Sequence, residues 1–312
     1  MRTAHSKRLP SRSRTHPAES QSLLNFSLLS DAEAHRFKES SNYDMKAIVD
    51  RYADYSAGPG LRRVAHDTTM KTLPSHEAYE AFLMTFVAEH TTIPVPRIKR
   101  IYTQRERTHI LMDHIDGVDL ATAWPRLPFW RKLYIAWVVR GYVKQLRRVA
   151  LPHPDVPGPF DDLGKPFVCK GHFFTSAGAG PFPSHRDMCE WFHRKQRIAK
   201  VALKQHGLKS CQTEFVDSDP LVLVNGNISP RHIRIGKDGK VWLVDWSLAG
   251  VYPKTFEYCG IMADGQLPDA HRLWTSLAPW IAAGSRNKRQ WDFLCSIKLA
   301  LFFRYDESDF LW

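Results

Sequence analysis

The stretch that decides the fold runs Leu221-Val222-Leu223-Val224-Asn225-Gly226-Asn227-Ile228-Ser229-Pro230-Arg231-His232-Ile233-Arg234-Ile235, followed by Val241-Trp242-Leu243-Val244-Asp245-Trp246. Four apolar residues in a row at 221–224 predict a buried strand. Ile233 and Ile235 alternate with polar residues, Asp238-Gly239 is a hairpin turn signal, and Val241 and Leu243 alternate on the return strand. This arrangement displays two polar loops at strand ends, one over 225–232 and one from Asp245 onward.

Upstream, residues 62–73 predict two strands joined by a tight turn at His66-Asp67, with Lys71 on the second. Tyr79, Phe82, Leu83, Phe86 and Val87 recur at i, i+3, i+4, i+7 and i+8, which predicts an amphipathic helix with Glu80 at the margin of its buried stripe. Pro94 and Pro96 close that region. Residues 98–102 and 109–112 then read as strands before the polar turn 113–117. Helical spacing returns over 130–149, with Ile135, Val138, Val139, Tyr142, Val143 and Leu146 on one side. Pro- and Gly-rich connections at 151–166 and 177–183 lead to a helix at about 187–203, and apolar helical patterning resumes from His271. The expected organisation is a basic Ser/Arg-rich tail over 1–41 and a small α+β lobe over 42–117. A larger, mainly helical lobe over 118–312 carries both polar loops.

The chain has 312 residues, 43% of them hydrophobic and 12% aromatic, the make-up of a globular protein and not of a collagen or a disulfide scaffold. The longest apolar run, 133–139, is far too short to cross a bilayer, so no membrane partner is expected. Five cysteines (Cys169, Cys189, Cys211, Cys259, Cys295) show no CxxC spacing, and no apolar signal-peptide core precedes them. Reduced thiols in the cytoplasm are therefore expected. Net charge is +12, from 44 basic and 32 acidic residues. Arg2, Lys7, Arg8, Arg12 and Arg14 all precede the first acid, Glu19. That segment lacks the apolar residues to offset the entropy of folding and is expected to be disordered. A plain solvated tail, a mitochondrial presequence and a nucleic-acid arm are the alternatives it allows.

A lysine on a strand, a glutamate on the next helix, a polar loop and an aspartate after a hairpin together form the parts of a phosphoryl-transfer site. Taken one at a time, Lys71 and Glu80 would be solvated charges and Asp245 a turn residue. In order, the stretch 224–233 with Leu243-Val244-Asp245-Trp246-Ser247-Leu248-Ala249-Gly250 and Tyr252-Pro253 resembles the fungal branch of the aminoglycoside phosphotransferase-like family. Supporting matches are Glu80-Ala81, Glu89-His90-Thr91, Ile93-Pro94-Val95-Pro96, residues 112–117 and Gly180-Pro181-Phe182-Pro183. They span roughly 62–258.

The resemblance implies a bilobal, protein-kinase-like α+β fold with ATP and magnesium bound between a β-rich N-terminal lobe and a helical C-terminal lobe. It implies that Lys71 contacts the nucleotide phosphates, that Glu80 pairs with it, and that Met112, Asp113, His114 and Ile115 form the hinge facing adenine. It implies further that Asp245 holds the metal. The loop departs from the family pattern of His-Gly-Asp with an Asn five positions after the Asp. Asn225 and Asn227 replace the His and Asp, and His232 takes the later, metal-facing slot. Ser247 stands where many relatives have Glu.

An amide has no useful basicity, and general-base help is worth about 10²–10⁴-fold in rate. An imidazole is also a softer ligand than magnesium prefers. Two readings follow. One is a degenerate, pseudokinase-like member that binds nucleotide or a small molecule. The other is an unconventional ATP-dependent phosphotransferase acting on a small-molecule hydroxyl, with His232 as proton acceptor or as a brace for the loop. A third reading, from another class, is a basic nucleic-acid-associated protein. Cys169, His172, His185, Cys189 and His193 offer soft ligands at spacings that suit zinc, although buried Cys with surface His is the commoner outcome of such a set. Gly58-Pro59-Gly60 reads as a turn.

Overall fold

The computed structural model describes residues 60–104, 106–205, 213–215, 220–282 and 287–302. The tail 1–41, Gly58-Pro59, Cys211 and the last ten residues lie outside this set. Strands β1 (Leu61–Ala65) and β2 (Thr68–Pro74) are joined at His66-Asp67, and β3 (Ile98–Gln104) and β4 (Arg107–Asp113) form the second hairpin. The four make one antiparallel sheet in the order β1-β2-β4-β3. Its register sets Lys71 of β2 opposite Ile110 of β4. Helix α1 (Tyr79–His90) packs on β3 and buries Tyr79, Leu83, Met84, Phe86 and Val87, the stripe its periodicity predicts. Glu80 is not marginal: only 1% of its surface is exposed, because Lys71 and the chain at Trp246 close over it.

Beyond the hinge, β5 (Gly117–Asp119) pairs with β7 (Ile233–Gly236), which pairs in turn with β8 (Val241–Leu243). Strand β6 (Leu221–Val224) pairs instead with β9 (Gly250–Pro253), so the loops 225–232 and 244–249 are pinned between two small sheets. Around them lie α2 (Leu120–Ala123), α3 (Phe129–Leu146), α4 (His185–Gln205), α5 (Thr255–Asp264), α6 (Arg272–Ile281), α7 (Asn287–Ser296) and α8 (Lys298–Phe302). The structure is thus a small antiparallel-sheet N-terminal region against a mainly helical C-terminal part, a kinase-like fold. The Pro/Gly-rich connection is ordered against the sheet, with Gly158 bridged to Val251 and Cys169 to Ala179.

One hydrophobic core runs through both parts. Its C-terminal centre is Phe192 of α4, which is fully buried and stacks on Phe215 at 4.4 Å between ring centroids. Phe174, Trp191, Phe256 and Phe293 all pack against the same ring. Removing that ring leaves a cavity walled by aromatics that cannot collapse into it. Phe192→Ala is therefore expected to cost about 3–5 kcal/mol of stability, read as a lowered urea midpoint with an unchanged m-value.

Candidate active site

Four segments distant in sequence meet in the cleft. Lys71 Nζ, from β2, donates to Glu80 Oε1 of α1 at 2.6 Å and to Asp245 Oδ1 at 3.0 Å. Glu80 Oε1 also accepts the Trp246 N–H at 3.3 Å. Tyr79 completes this seam by donating its hydroxyl to Ser247 O at 3.2 Å. Burial opposes the charge on Lys71, but Glu80 and Asp245 outweigh it and hold the ammonium protonated well above its ordinary range. Burial likewise opposes ionisation of Asp245. The Lys71 ammonium and His232 outweigh it, and the carboxyl sits below the usual carboxylate range.

The loop after β6 is held from both sides. Asn225 Nδ2 donates to Asp245 O at 2.9 Å, while Asn225 Oδ1 accepts the Asn227 N–H at 3.0 Å. Asn225 thus braces the loop from within. Behind the loop, buried Glu257 of α5 accepts the N–H groups of Asn225 and Gly226, each at 3.0 Å. Gly226 has φ +72°, and a Cβ there would lie 2.9 Å from Leu248 O, so the turn requires glycine. Burial raises the Glu257 carboxyl against the pull of its two N–H donors and of Arg147. Sequence reasoning missed this residue. Its only signal is an acid just after Tyr252-Pro253, in a helix that the apolar pattern does not mark.

Asn227 and His232 both turn toward Asp245. Asn227 Nδ2 donates to Asp245 Oδ2 at 2.8 Å. His232 Nδ1 lies 3.0 Å from Asn227 O and 3.3 Å from Ser229 Oγ, and its Nε2 lies 3.6 Å from Asp245 Oδ2. A carbonyl only accepts, so the Nδ1 position carries the proton and Nε2 is the ring's exchangeable face. The other carboxylates touching this loop are committed elsewhere. Glu257 is engaged behind it, and Asp264 and Asp269 both pair with Arg231.

These donors decide what the site can hold. The Lys71 ammonium, backed by Glu80, suits a phosphate oxygen. Asp245 is the hard anionic ligand that faces the loop, Glu80 being turned to Lys71 and the Trp246 N–H. Its Oδ1 accepts from Lys71 and from Ser247 N (3.1 Å), and its Oδ2 accepts from Asn227. The next ligands available are an amide and an imidazole nitrogen. This set does not fit the metal pair that the resemblance implies, since magnesium requires oxygens at near-ideal octahedral positions.

At the hinge, the Asp113 and His114 N–H groups donate to Arg97 O at 2.9 Å and Asp67 O at 2.8 Å. These two amides face the protein, while Met112 is buried in β4 and Ile115 follows in the connection to β5. The zinc-type residues do not assemble. Cys169 and Cys189 are buried in the core, and among the described residues no three His, Cys, Asp or Glu side chains come together to hold a metal ion.

No family model matches the sequence, and neither does any curated protein. The likeness lies in three dimensions. Aminoglycoside phosphotransferase APH(4)-Ia superposes with a TM-score of 0.53 at 15% identity, covering 84% of this chain and 90% of that one. A thermostable form of the same enzyme, in a ternary complex with ADP and hygromycin B, gives 0.50 at 15% over 82% and 90%. The GDP complex of an aminoglycoside 2'-phosphotransferase-IIIa gives 0.50 at 12% over 83% and 87%. At such identities what is shared is the fold, that of the aminoglycoside phosphotransferases.

Two outcomes check the site's construction. Glu257→Ala strands the buried N–H of Asn225 and frees the partly buried one of Gly226, so an equilibrium urea titration should show a loss of about 1–3 kcal/mol. The second concerns His114, which shares a hydrogen bond of 2.9 Å with Thr69 Oγ1. Burial, with Arg63 and Arg234 nearby, lowers it from 6.5 to about 4. The unfolded chain therefore binds a proton there before the folded one does, and stability is lost as pH falls from about 6.5 to about 4. In thermal melts, His114→Gln should lose less over that window than the parent protein does.

Proposed function

We propose that this protein is a degenerate, fungal-type aminoglycoside phosphotransferase-like protein that binds a nucleotide, together with a hydroxylated small molecule, and transfers phosphate poorly or not at all. The observation that carries this reading is the Asn227 amide donating to Asp245 at 2.8 Å. The group at the family's base position is spent as a hydrogen-bond donor, and it has no lone pair able to take a proton from an alcohol. What favours retained nucleotide binding is the formed Lys71–Glu80 pair at 2.6 Å. That pair holds the ammonium in the cleft, positioned to meet a phosphate oxygen. The solved neighbours include complexes with ADP and with GDP, and one of them also holds hygromycin B, a hydroxylated small molecule.

In this reading the lysine orients the phosphates and the hinge carbonyls face the base. Glu257 and Asn225 keep the loop in shape although its chemistry is reduced. Because the donor set around Asp245 does not suit a metal pair, nucleotide affinity should depend little on magnesium.

A second reading rests on His232. Its Nδ1 proton is committed to the Asn227 carbonyl, leaving Nε2 beside Asp245 as a proton acceptor for slow transfer. Calorimetry with ATP, with and without magnesium, and turnover against a panel of hydroxylated metabolites separate the two. The degenerate reading expects binding that survives chelation of magnesium. It also expects negligible turnover that rises about 10²-fold or more in Asn227→Asp with His232→Asn. Slow but measurable turnover by the parent protein, abolished by His232→Gln, would replace the first reading with the second. Lys71→Met should abolish binding under either.

A further inference from the structure

The longest apolar run of the chain, 133–139, lies in α3, and the fold covers only part of it. Ile135, Ala136, Val139, Tyr142, Val143 and Leu146 face the core. Phe129, Trp130, Leu133, Tyr134 and Trp137 do not, and Trp130 and Trp137 are 68% and 61% exposed. Their three- and four-residue spacing makes one stripe along the outer side of the helix. Trp280 of α6, the helix packed beside α3, extends it: Arg140 lies over the Trp280 ring at 5.2 Å and donates to the Trp280 carbonyl. A helix that is apolar on both sides needs a second apolar environment.

The charges flanking the stripe specify that environment. α3 carries Arg131, Lys132, Arg140 and Lys144 and no acidic residue, and α6 adds Arg272 and no acid. Arg131 lies 5.0 Å over the exposed Tyr134 ring and Arg140 lies over that of Trp280, so cations and aromatics meet along this face. A second copy docking this face against itself would oppose like charges. Exposed Trp, Tyr and Phe interleaved with Lys and Arg on one helical face is the composition of a helix lying in a bilayer interface. A shallow pocket of about 270 Å³ beside Trp137, Arg140, Lys144 and Gln145 gives two of these cations a recess for an anionic headgroup.

We propose that the outer face of α3, with Trp280, is a peripheral docking surface for an anionic lipid bilayer. Phe129, Trp130, Tyr134 and Trp137 enter the headgroup layer, and Arg131, Arg140 and Lys144 meet lipid phosphates. The sequence expectation of no membrane partner rests on the lack of a spanning run. No described helix is long and apolar enough to cross a membrane, but a helix lying on the surface needs no such length.

Co-sedimentation of the full chain with vesicles tests this. Binding is expected to phosphatidylcholine vesicles containing phosphatidylserine and not to phosphatidylcholine alone, and it should weaken as salt rises. Trp130→Ala with Trp137→Ala, both at exposed sites, should lower partitioning about tenfold or more while leaving the melting temperature unchanged. Arg131→Gln with Lys144→Gln should act in the same direction. Absence of a phosphatidylserine preference would overturn the proposal. So would unchanged partitioning of the tryptophan variant, which would assign the attraction to the basic leading segment. A parent dimer that the tryptophan changes dissociate would assign the face to a second copy instead.

Discussion

The ammonium of Lys71, half-buried between two carboxylates, is the constraint from which the cleft is built. It reaches from the N-terminal sheet to Glu80 on the adjoining helix and to Asp245 on the far side of the cleft, at 2.6 and 3.0 Å. Glu80 is buried while Lys71 and Asp245 keep about a fifth of their side-chain surface, and removing any one of the three leaves a poorly compensated charge in the cleft. The triad thereby fixes how the two parts of the fold face each other, and the same contacts set the charge state of the cleft. Tyr79 and the Trp246 amide repeat the connection through neutral hydrogen bonds.

From Asp245 the constraint passes into the loop over 225–232. Two asparagines and a histidine hold that loop against the aspartate. Asn225 binds its carbonyl and Asn227 its side chain, while His232 anchors on the Asn227 carbonyl. Glu257 ties the back of the loop to α5. This geometry is rigid and well satisfied, and it is specific to amides: a carboxylate at 227 would stand against the Asp245 carboxylate with no proton between them. The residues that the proposed function makes poor at phosphoryl transfer are therefore also the ones that brace the cleft.

Much of this was legible in the sequence. The β2 turn, the α1 stripe and the hairpin at Asp238-Gly239 follow local periodicity and turn chemistry, which a single chain carries openly. Lys71, Glu80 and Asp245 were picked out by order and residue type, Asn227 and His232 through the family resemblance, and the fold brings all five together. Three features were not legible. Glu80 read as marginal because helical periodicity knows nothing of the strand and loop that cover it. Glu257 went unseen because its role depends on β9 and α5 closing behind the loop, a contact between segments about 30 residues apart. The outer side of α3 was read only through its inward face, since a spacing that predicts burial on one side does not say that the other side is aromatic and uncovered.

The most direct test of the central claim is a crystal structure of the full chain with a non-hydrolysable ATP analogue and magnesium. The account predicts a phosphate oxygen at Lys71, the Asn227 amide still facing Asp245, and no carboxylate within about 4 Å of the position in line with the terminal phosphate. A carboxylate from any part of the chain reaching that position, or two magnesium ions coordinated by Asp245 and the 232 side chain, would contradict it.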